Sequence, residues 1–255
     1  MSKEGAPSPE SLFDLRPEER LDDLERNGFK LIQKPSAFCF GMDAVLLSGF
    51  ARVKKGERAL DLCSGNGIVA ILLAAKSESS RIDALELQPQ MAEMACRSVK
   101  GNGLSDRVFM ECGDVREAVQ KYGKAVFDVI TCNPPYIRAG HGLVNPTDGK
   151  AIARHEICCT FEDVAGQSAQ LLKPGGRLYL VHRPERLMEL LSTLQKANLE
   201  PKRMKMVHPF LGEPANMVLL EAVRGGGSAM QVEAPVIVYR AKGEYTDEIR
   251  EIYGY

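Results

Sequence analysis

The fold is decided by the stretch Arg58-Ala59-Leu60-Asp61-Leu62-Cys63-Ser64-Gly65-Asn66-Gly67-Ile68-Val69-Ala70. The largely apolar residues 58–63 predict a buried strand, and the four residues that follow predict a tight turn. A helix is predicted from Ile68 to Ala75. The glycines match G-x-G-x-x-G/A, which between a strand and a helix is typical of a loop that binds a nucleotide cofactor. The stretch therefore predicts a strand, a cofactor loop and a helix in succession.

The same alternation of strands and helices continues along the chain. Further strands are predicted at 82–87, 108–112, 126–132, 177–181, 202–207 and 216–223, with helices at 89–99, 161–172 and 184–197. Strands that alternate with helices pair in parallel through right-handed crossovers. Only the eight residues 208–215 separate the last two strands, so these should form an antiparallel hairpin. We therefore predict an α/β fold with a seven-stranded doubly wound sheet, mostly parallel with an antiparallel last strand.

Composition excludes several classes of protein. The chain has 44% hydrophobic and 26% charged residues, which is ordinary for a soluble globular protein. No apolar run approaches the ~18 residues of a membrane span, and the first residues lack a signal sequence, so we expect a cytoplasmic protein. The seven cysteines show no Cys-x-x-Cys spacing, so we expect reduced thiols and no metal site. A net charge of −1 argues against bulk, non-specific binding of nucleic acid but is compatible with a local basic face.

Three acidic residues are predicted around the glycine loop. Asp61 precedes Gly65 and Gly67, while Glu86 and Asp114 end the second and third strands. A nicotinamide dinucleotide would place its pyrophosphate near Asp61, where like charges repel, whereas a cofactor with a cationic centre and an ammonium group would be attracted. S-adenosylmethionine is such a cofactor. Glu86 would then accept hydrogen bonds from its ribose and Asp114 from its adenine, although Asp114 as a helix N-cap and Asp61 as a solvated edge carboxylate remain alternatives.

The sequence Asn133-Pro134-Pro135-Tyr136 follows the fourth strand. Two successive prolines remove two backbone donors and fix φ near −65°, so the segment is stiff. It could hold the Asn133 amide oxygen and the Pro134 carbonyl as two acceptors for a planar NH2 group, with the Tyr136 ring stacked on the base. We therefore expect Asn133, Pro134 and Tyr136 to be catalytic, although a proline-rich turn at the end of a strand is the simpler alternative.

Asp61-x-x-x-Gly65-x-Gly67, Glu86, Asp114 and the Asn-Pro-Pro-Tyr sequence, in that order, resemble the class I, Rossmann-like methyltransferases that act on amino nitrogens. A closer resemblance is to bacterial tRNA(Val) adenine-N6 methyltransferases, which modify an adenine in the anticodon loop. It is carried by residues 40–47 (FGMDAVLL), 153–156 (ARHE), 172–176 (LKPGG) and 243–246 (GEYT). The resemblance implies that the segment with Phe40 and Asp43 lies over the cofactor and that the tRNA anticodon stem-loop is the partner.

The sequence pattern also predicts a domain organisation. A methyltransferase domain should span residues 53–224, with an N-terminal extension (1–52) packed on it and a C-terminal tail (225–255) docked after Gly225-Gly226-Gly227-Ser228. Within the extension, residues 28–34 alternate like a short strand, and Asp43 is placed to be the N-cap of a helix over 44–50.

The long connection 137–160 is placed to close over the target base. Arg138 and Arg154 are candidate phosphate contacts, as is Lys150, and His155 is a candidate substrate contact. On the sixth strand, Lys202, Arg203 and Lys205 are further candidates. For each cation, an ordinary solvated charge is an equal alternative.

Three other functions stay open at this point. A protein-glutamine methyltransferase would use the same motif but needs a helical domain ahead of the sheet, for which residues 1–57 leave little room. A guanine-N2 methyltransferase of ribosomal RNA and a non-catalytic RNA-binding scaffold are the others. We expect no general base, because a proton can leave the amine after methylation.

Overall fold

The computed structural model describes residues 12–36, 39–136 and 159–254. Its strands are β1 (Arg20–Asp23), β2 (Lys30–Gln33), β3 (Arg58–Leu62), β4 (Arg81–Glu86), β5 (Val108–Cys112), β6 (Phe127–Cys132), β7 (Leu172–His182), β8 (Leu199–Phe210), β9 (Met217–Arg224), β10 (Gln231–Val232), β11 (Val236–Ala241) and β12 (Glu244–Tyr245). Its α-helices are α1 (Met42–Phe50), α2 (Ile68–Lys76), α3 (Pro89–Gly101), α4 (Ala118–Tyr122), α5 (Phe161–Leu171), α6 (Leu187–Lys196) and α7 (Asp247–Tyr253).

The seven predicted strands form the centre of the main sheet in the order β8-β9-β7-β6-β3-β4-β5. Strands β3 to β7 pair in parallel, whereas β9 is antiparallel to both of its neighbours. The predicted α/β class, the doubly wound sheet and the antiparallel hairpin of its last two strands are therefore confirmed. The strand order reverses between β3 and β6, which is where open α/β sheets bind ligands.

The sheet extends further than predicted at the β8 edge. There β11 pairs in parallel with β8, β12 pairs with β11, and β10 makes a short parallel pairing with β8. Because an unpaired edge strand leaves backbone donors and acceptors open, this pairing completes the hydrogen bonds of β8. Pro174-Gly175-Gly176, a sequence typical of a turn, instead lies within β7, in the stretch between Leu172 and Arg177 where the pairing with β6 shifts register.

Both faces of the sheet are buried by helices. Along β3, Ala59 packs with the core beneath α1 and α2, while the next residue, Leu60, packs with the core beneath α5 and α6. Neighbouring residues of a strand point to opposite faces, so the nearly continuous apolar runs seen in the sequence are what a doubly covered sheet requires. Within the described ranges, no helix is both long and apolar enough to cross a membrane.

The N-terminal hairpin is fixed to α3 by polar contacts. The Asn102 side chain accepts the Lys30 N–H at 2.8 Å and donates to the Lys30 carbonyl at 2.6 Å. The Ser98 hydroxyl accepts the N–H of Ile32, and Arg97 forms an ion pair with Glu19. These bonds seat the short strand expected within residues 28–34, which is β2. The domain boundaries at 52/53 and 224/225 stay predictions.

Candidate active site

A cavity of about 700 Å³ opens at the carboxyl edge of the sheet. Its walls include the residues that follow β3, β4, β5 and β6, together with the start of α1. The cofactor loop and the Asn-Pro-Pro-Tyr segment therefore face one space, although they are far apart in the sequence. Parallel strands bring this about because their carboxyl ends meet at one edge.

The glycine loop has the backbone conformation that the cofactor pattern requires. Gly65 and Gly67 have φ of +56° and +83°, in the left-handed region that favours glycine. A Cβ on Gly67 would lie 3.1 Å from the Ala95 Cβ and 3.4 Å from the Met110 sulfur. Gly65 lines the cavity, whereas Gly67 lies outside its lining and shapes the turn as the N-cap residue of α2.

Glu86 holds the glycine loop against the end of β4. One carboxylate oxygen accepts the Gly65 N–H at 2.8 Å, and the other accepts the Gln88 N–H at 2.9 Å. Burial raises the pKa of the carboxyl, and the two backbone bonds oppose this rise. Each oxygen keeps a further lone pair, so a cavity-lining Glu86 could accept hydroxyl groups from a ligand.

Asp61 is placed differently from its prediction, because it lies within β3 beneath the loop and does not line the cavity. The Thr131 hydroxyl donates to its Oδ1 at 2.6 Å, while Oδ2 is buried with no partner in the described part of the chain. Burial raises the pKa of Asp61 to about 7. The alternative of a solvated edge carboxylate is therefore wrong, since only 1% of the residue's surface is exposed.

Asp114 lines the cavity, but its carboxylate is already engaged. It accepts the Arg116 backbone N–H at 2.8 Å and the Arg116 guanidinium at 3.0 Å, which lowers the pKa of Asp114. It thereby caps the 3-10 helix Val115–Glu117. The structure shows the capping alternative, and because Asp114 also lines the cavity, its role as an acceptor for the adenine stays a prediction.

Asn133, Pro134 and Tyr136 all line the cavity, directly after β6. The Tyr136 hydroxyl lies 2.9 Å from Asp43 Oδ2 and also within hydrogen-bonding distance of Asn133 Oδ1. Burial, and then the Asp43 carboxylate, raise the pKa of Tyr136 well above its ordinary value. The Asn-Pro-Pro-Tyr segment is thus tied to α1 by a hydrogen bond.

Comparison with known proteins gives the family. The model of the methyltransferase small domain family matches residues 30–200. A tRNA1(Val) (adenine(37)-N6)-methyltransferase of Aeromonas hydrophila is 32% identical over 208 residues, which are 81% of this chain and 85% of that protein. The equivalent protein of Aeromonas salmonicida is 33% identical, with the same coverage. The chain belongs to this methyltransferase family.

Solved structures agree with the fold. A predicted O-methyltransferase of Agrobacterium tumefaciens superposes with a TM-score of 0.66 at 24% identity, covering 83% of this chain and 95% of that one. TYW2 of P. horikoshii, in complex with MeSAdo, superposes with a TM-score of 0.58 at 16% identity, covering 83% and 73%. The fold predicted from the sequence is therefore confirmed. The family match and the Aeromonas relatives confirm the resemblance, so the chain is a methyltransferase, and a non-catalytic scaffold is not favoured.

The N-terminal segment of the methyltransferase corrects one local prediction. Helix α1 begins at Met42 with Gly41 as its N-cap residue, so Asp43 is not the cap. Its carboxylate instead accepts from the Tyr136 hydroxyl and from the Ala44 N–H. Both Phe40 and Asp43 line the cavity, which is compatible with the place over a cofactor that the resemblance implies.

Two residues of the methyltransferase site were missed from the sequence. His182 ends β7 beside β6, and its ring lies 5.0 Å from the Tyr136 ring. Burial lowers the pKa of His182 to about 4, so it is neutral at pH 7, and its Nδ1 accepts the Arg183 N–H. The Arg183 guanidinium lies 5.5 Å from the Tyr136 ring centroid and lines the cavity. The sequence could have indicated them, because they lie at the carboxyl end of a predicted strand, where ligands of such sheets bind.

The predicted substrate contacts of the methyltransferase divide into two groups. Arg138, Arg154 and His155 lie outside the described residues, as does Lys150. The three cations of β8 are already bound within the protein. Lys202 donates to the Gly227 carbonyl, Arg203 pairs with Glu221 and Glu233, and Lys205 pairs with Glu248. The tail that extends the sheet supplies most of these acceptors, and the role of the three cations as phosphate contacts stays a prediction.

Six cysteines of the described ranges are free thiols. Burial raises the pKa of the Cys132 thiol, which keeps it protonated. Within the same ranges, no three His, Cys, Asp or Glu side chains are arranged to hold a metal ion.

Proposed function

We propose that this methyltransferase transfers the methyl group of S-adenosylmethionine to N6 of an adenine, and that the adenine is position 37 of tRNA1(Val). The observation that carries the proposal is the placement of Asn133 and Pro134 on the wall of the cavity that Glu86 and Gly65 also line. A methyl donor and an amine that meet in this cavity would lie between the two sets of residues. The names of the Aeromonas relatives support the same substrate.

The residues around the loop fit the cofactor. Ser64 Oγ and Asn66 Nδ2 are buried without hydrogen-bond partners in the described part of the chain, and both residues line the cavity. Buried polar atoms without partners are uncommon, because each costs ~1–3 kcal/mol in folding. A ligand with polar groups at this loop would satisfy them. Glu86 would hold the ribose hydroxyls, since its oxygens are fixed by two backbone donors.

The chemistry follows from the acceptors. S-adenosylmethionine, when bound, supplies an electrophilic methyl group on a sulfonium sulfur. The lone pair of an adenine amine is delocalised into the ring, which makes the amine a poor nucleophile. The Asn133 amide oxygen and the Pro134 carbonyl would bind the two amine hydrogens and direct the lone pair at the methyl group. His182 is uncharged beside them, so it adds no positive charge next to a nitrogen that becomes cationic on attack.

Arg183 supports an anionic partner at the mouth of the cavity. Its guanidinium donates to the Asn216 carbonyl at 2.9 Å, and no described carboxylate forms an ion pair with it. An exposed cation beside the Tyr136 ring is suited to the phosphate of a nucleotide whose base lies in the cavity. An unpaired base of an anticodon stem-loop can be turned out of its stack at a lower cost than a paired one. We further propose that the enzyme acts in the cytoplasm, where tRNA is modified.

The test uses transcripts of tRNA1(Val) with adenine or guanine at position 37. Purified enzyme is incubated with methyl-labelled S-adenosylmethionine and each transcript. We expect label in the adenine transcript and none in the guanine transcript. Equal label in both would show that the methylated nucleotide is not position 37, and label only in the guanine transcript would overturn the adenine assignment in favour of guanine-N2 methylation. Wild-type protein that binds NAD and shows no calorimetric signal with S-adenosylmethionine would overturn the cofactor assignment.

A further inference from the structure

The Tyr136 hydroxyl joins two residues that are 90 positions apart in the sequence. Asp43, in the first turn of α1, places its Oδ2 2.9 Å from the hydroxyl oxygen. On the other side, the Asn133 amide oxygen, Oδ1, lies within hydrogen-bonding distance of the same hydroxyl. All three residues line the cavity. The hydroxyl therefore bridges the Asp43 carboxylate and the Asn133 amide.

A phenol hydroxyl carries one hydrogen, so it can donate to only one of its two neighbours. If it donated to Asn133, its oxygen lone pairs would face the Asp43 carboxylate, and the two would repel. If it donates to Asp43, it forms the stronger, charge-assisted bond, and its oxygen becomes an acceptor on the Asn133 side. Only the second arrangement makes both contacts favourable.

The direction of this hydrogen decides which end of the Asn133 amide faces Tyr136. An amide has a donor end, NH2, and an acceptor end, the carbonyl oxygen. The structure has the oxygen at Tyr136, but the two ends of an amide have nearly the same shape and can exchange places when it turns by about 180°. When the Tyr136 oxygen is an acceptor, this turn places the NH2 end toward it, and the carbonyl oxygen faces away. That oxygen is the group which must meet the hydrogens of the substrate amine.

We propose that Asp43 is a positioning residue, which fixes the hydrogen of Tyr136 and through it turns the carbonyl oxygen of Asn133 toward the substrate amine. The proposal rests on the proposed function for its consequence in catalysis. It differs from the cofactor contact that the sequence implied for Asp43, because the carboxylate oxygen in question is bound to Tyr136. Without Asp43, the Tyr136 hydroxyl donates to the carbonyl oxygen of Asn133. The NH2 end of Asn133 then faces the substrate amine, and two hydrogen-bond donors oppose each other there.

The other groups around Tyr136 do not change the direction of its hydroxyl hydrogen. His182 contacts the tyrosine ring rather than its hydroxyl, and Arg183 also lies over the ring. The high pKa of Tyr136 keeps the hydroxyl protonated throughout the neutral range. One hydrogen is thus shared between Asp43 and Asn133 under assay conditions.

The test is a double-mutant cycle with Asp43→Ala, Tyr136→Phe and the double variant. We expect Asp43→Ala to lower kcat by ~10-fold or more while the Kd of S-adenosylmethionine stays within ~2-fold. Removing the hydroxyl removes the misdirected hydrogen, so Asp43→Ala should cost less than ~2-fold when it is added to Tyr136→Phe. The control is Asp106→Ala, an exposed aspartate just before β5, which should leave both quantities unchanged.

Additive losses in the cycle, or a raised Kd for the cofactor with kcat retained, would overturn the proposal.

A second measurement requires no activity. In protein labelled with 15N-asparagine, with the signal assigned from Asn133→Ala, the Asn133 NH2 hydrogens should exchange slowly with solvent in wild type and faster in Asp43→Ala. Fast exchange in wild type would contradict the orientation. If wild type methylates no tRNA while slow exchange is seen, the proposed function fails and the positioning role stands.

Discussion

Glu86→Ala tests how the cofactor loop is held. In wild type, the Glu86 carboxylate accepts the N–H groups of Gly65 and Gln88 at 2.8 and 2.9 Å, and only 6% of the residue's surface is exposed. Alanine removes both acceptors and the proposed contacts to the ribose. A hydrogen bond to a charged group contributes ~1.5–3 kcal/mol, so losing the ribose contacts should raise the Kd of S-adenosylmethionine by ~10- to 100-fold.

The assay is isothermal titration calorimetry with S-adenosylmethionine, paired with thermal unfolding in the absence of ligand. The two unpaired backbone donors should also lower the stability of the free protein, by ~1–3 kcal/mol for each donor. Asp106→Ala is the matched control, because it removes an exposed carboxylate before β5. A Kd for S-adenosylmethionine that is unchanged in folded Glu86→Ala would refute the reasoning.

Three further predictions concern the substrate side. Asn133→Ala should lower turnover by ~100-fold or more and leave the Kd of the cofactor nearly unchanged, as measured by single-turnover kinetics and calorimetry, because its oxygen acts on the amine; near-full turnover would contradict this. The folded pKa of His182 is lowered to about 4, so the unfolded chain binds the proton first as the pH falls from 6.5, and the free energy of unfolding decreases from there down to pH 4. His182→Phe should therefore remove up to about 3 kcal/mol of this decrease. Urea titrations at several pH values measure it, and an unchanged pH dependence of the free energy of unfolding would contradict the prediction. Arg183→Gln should weaken tRNA binding and reduce the slope of log K against log salt by ~1. The control is Lys55→Gln, which removes a charge before β3, at the end of the strand away from the cavity. Equal slopes for the two variants would show that Arg183 does not contact the tRNA.

The sequence predicted the sheet well because each central strand is a short, nearly continuous apolar run followed by a turn. The tail strands were missed for a physical reason. Strands β10 and β12 have two residues each, too few to show a period, and they form only because β8 and β11 offer open edges. The Pro-Gly-Gly sequence at 174–176 is typical of a turn, yet it lies within β7, in an irregular stretch between Leu172 and Arg177, which pair with Phe127 and Val129 of β6.

The candidate site could be predicted where a motif lies at the end of a strand, as for Gly65, Glu86 and Asn133. Contacts between distant segments could not. Nothing near Asp43 in the sequence indicates that its carboxylate binds the Tyr136 hydroxyl, and the burial of Asp61 depends on Thr131 of a neighbouring strand. These contacts follow from strand order, which spacing in the sequence does not reveal.

One measurement tests directly whether the enzyme transfers a methyl group to N6 of adenine 37. Transcribed tRNA1(Val) is treated with the enzyme and S-adenosylmethionine, cut into defined fragments, and analysed by mass spectrometry of fragments and nucleosides. We expect N6-methyladenosine in the fragment that contains position 37, with wild-type enzyme and not with Asn133→Ala. N2-methylguanosine in place of N6-methyladenosine, or N6-methyladenosine only at another position, would contradict the account.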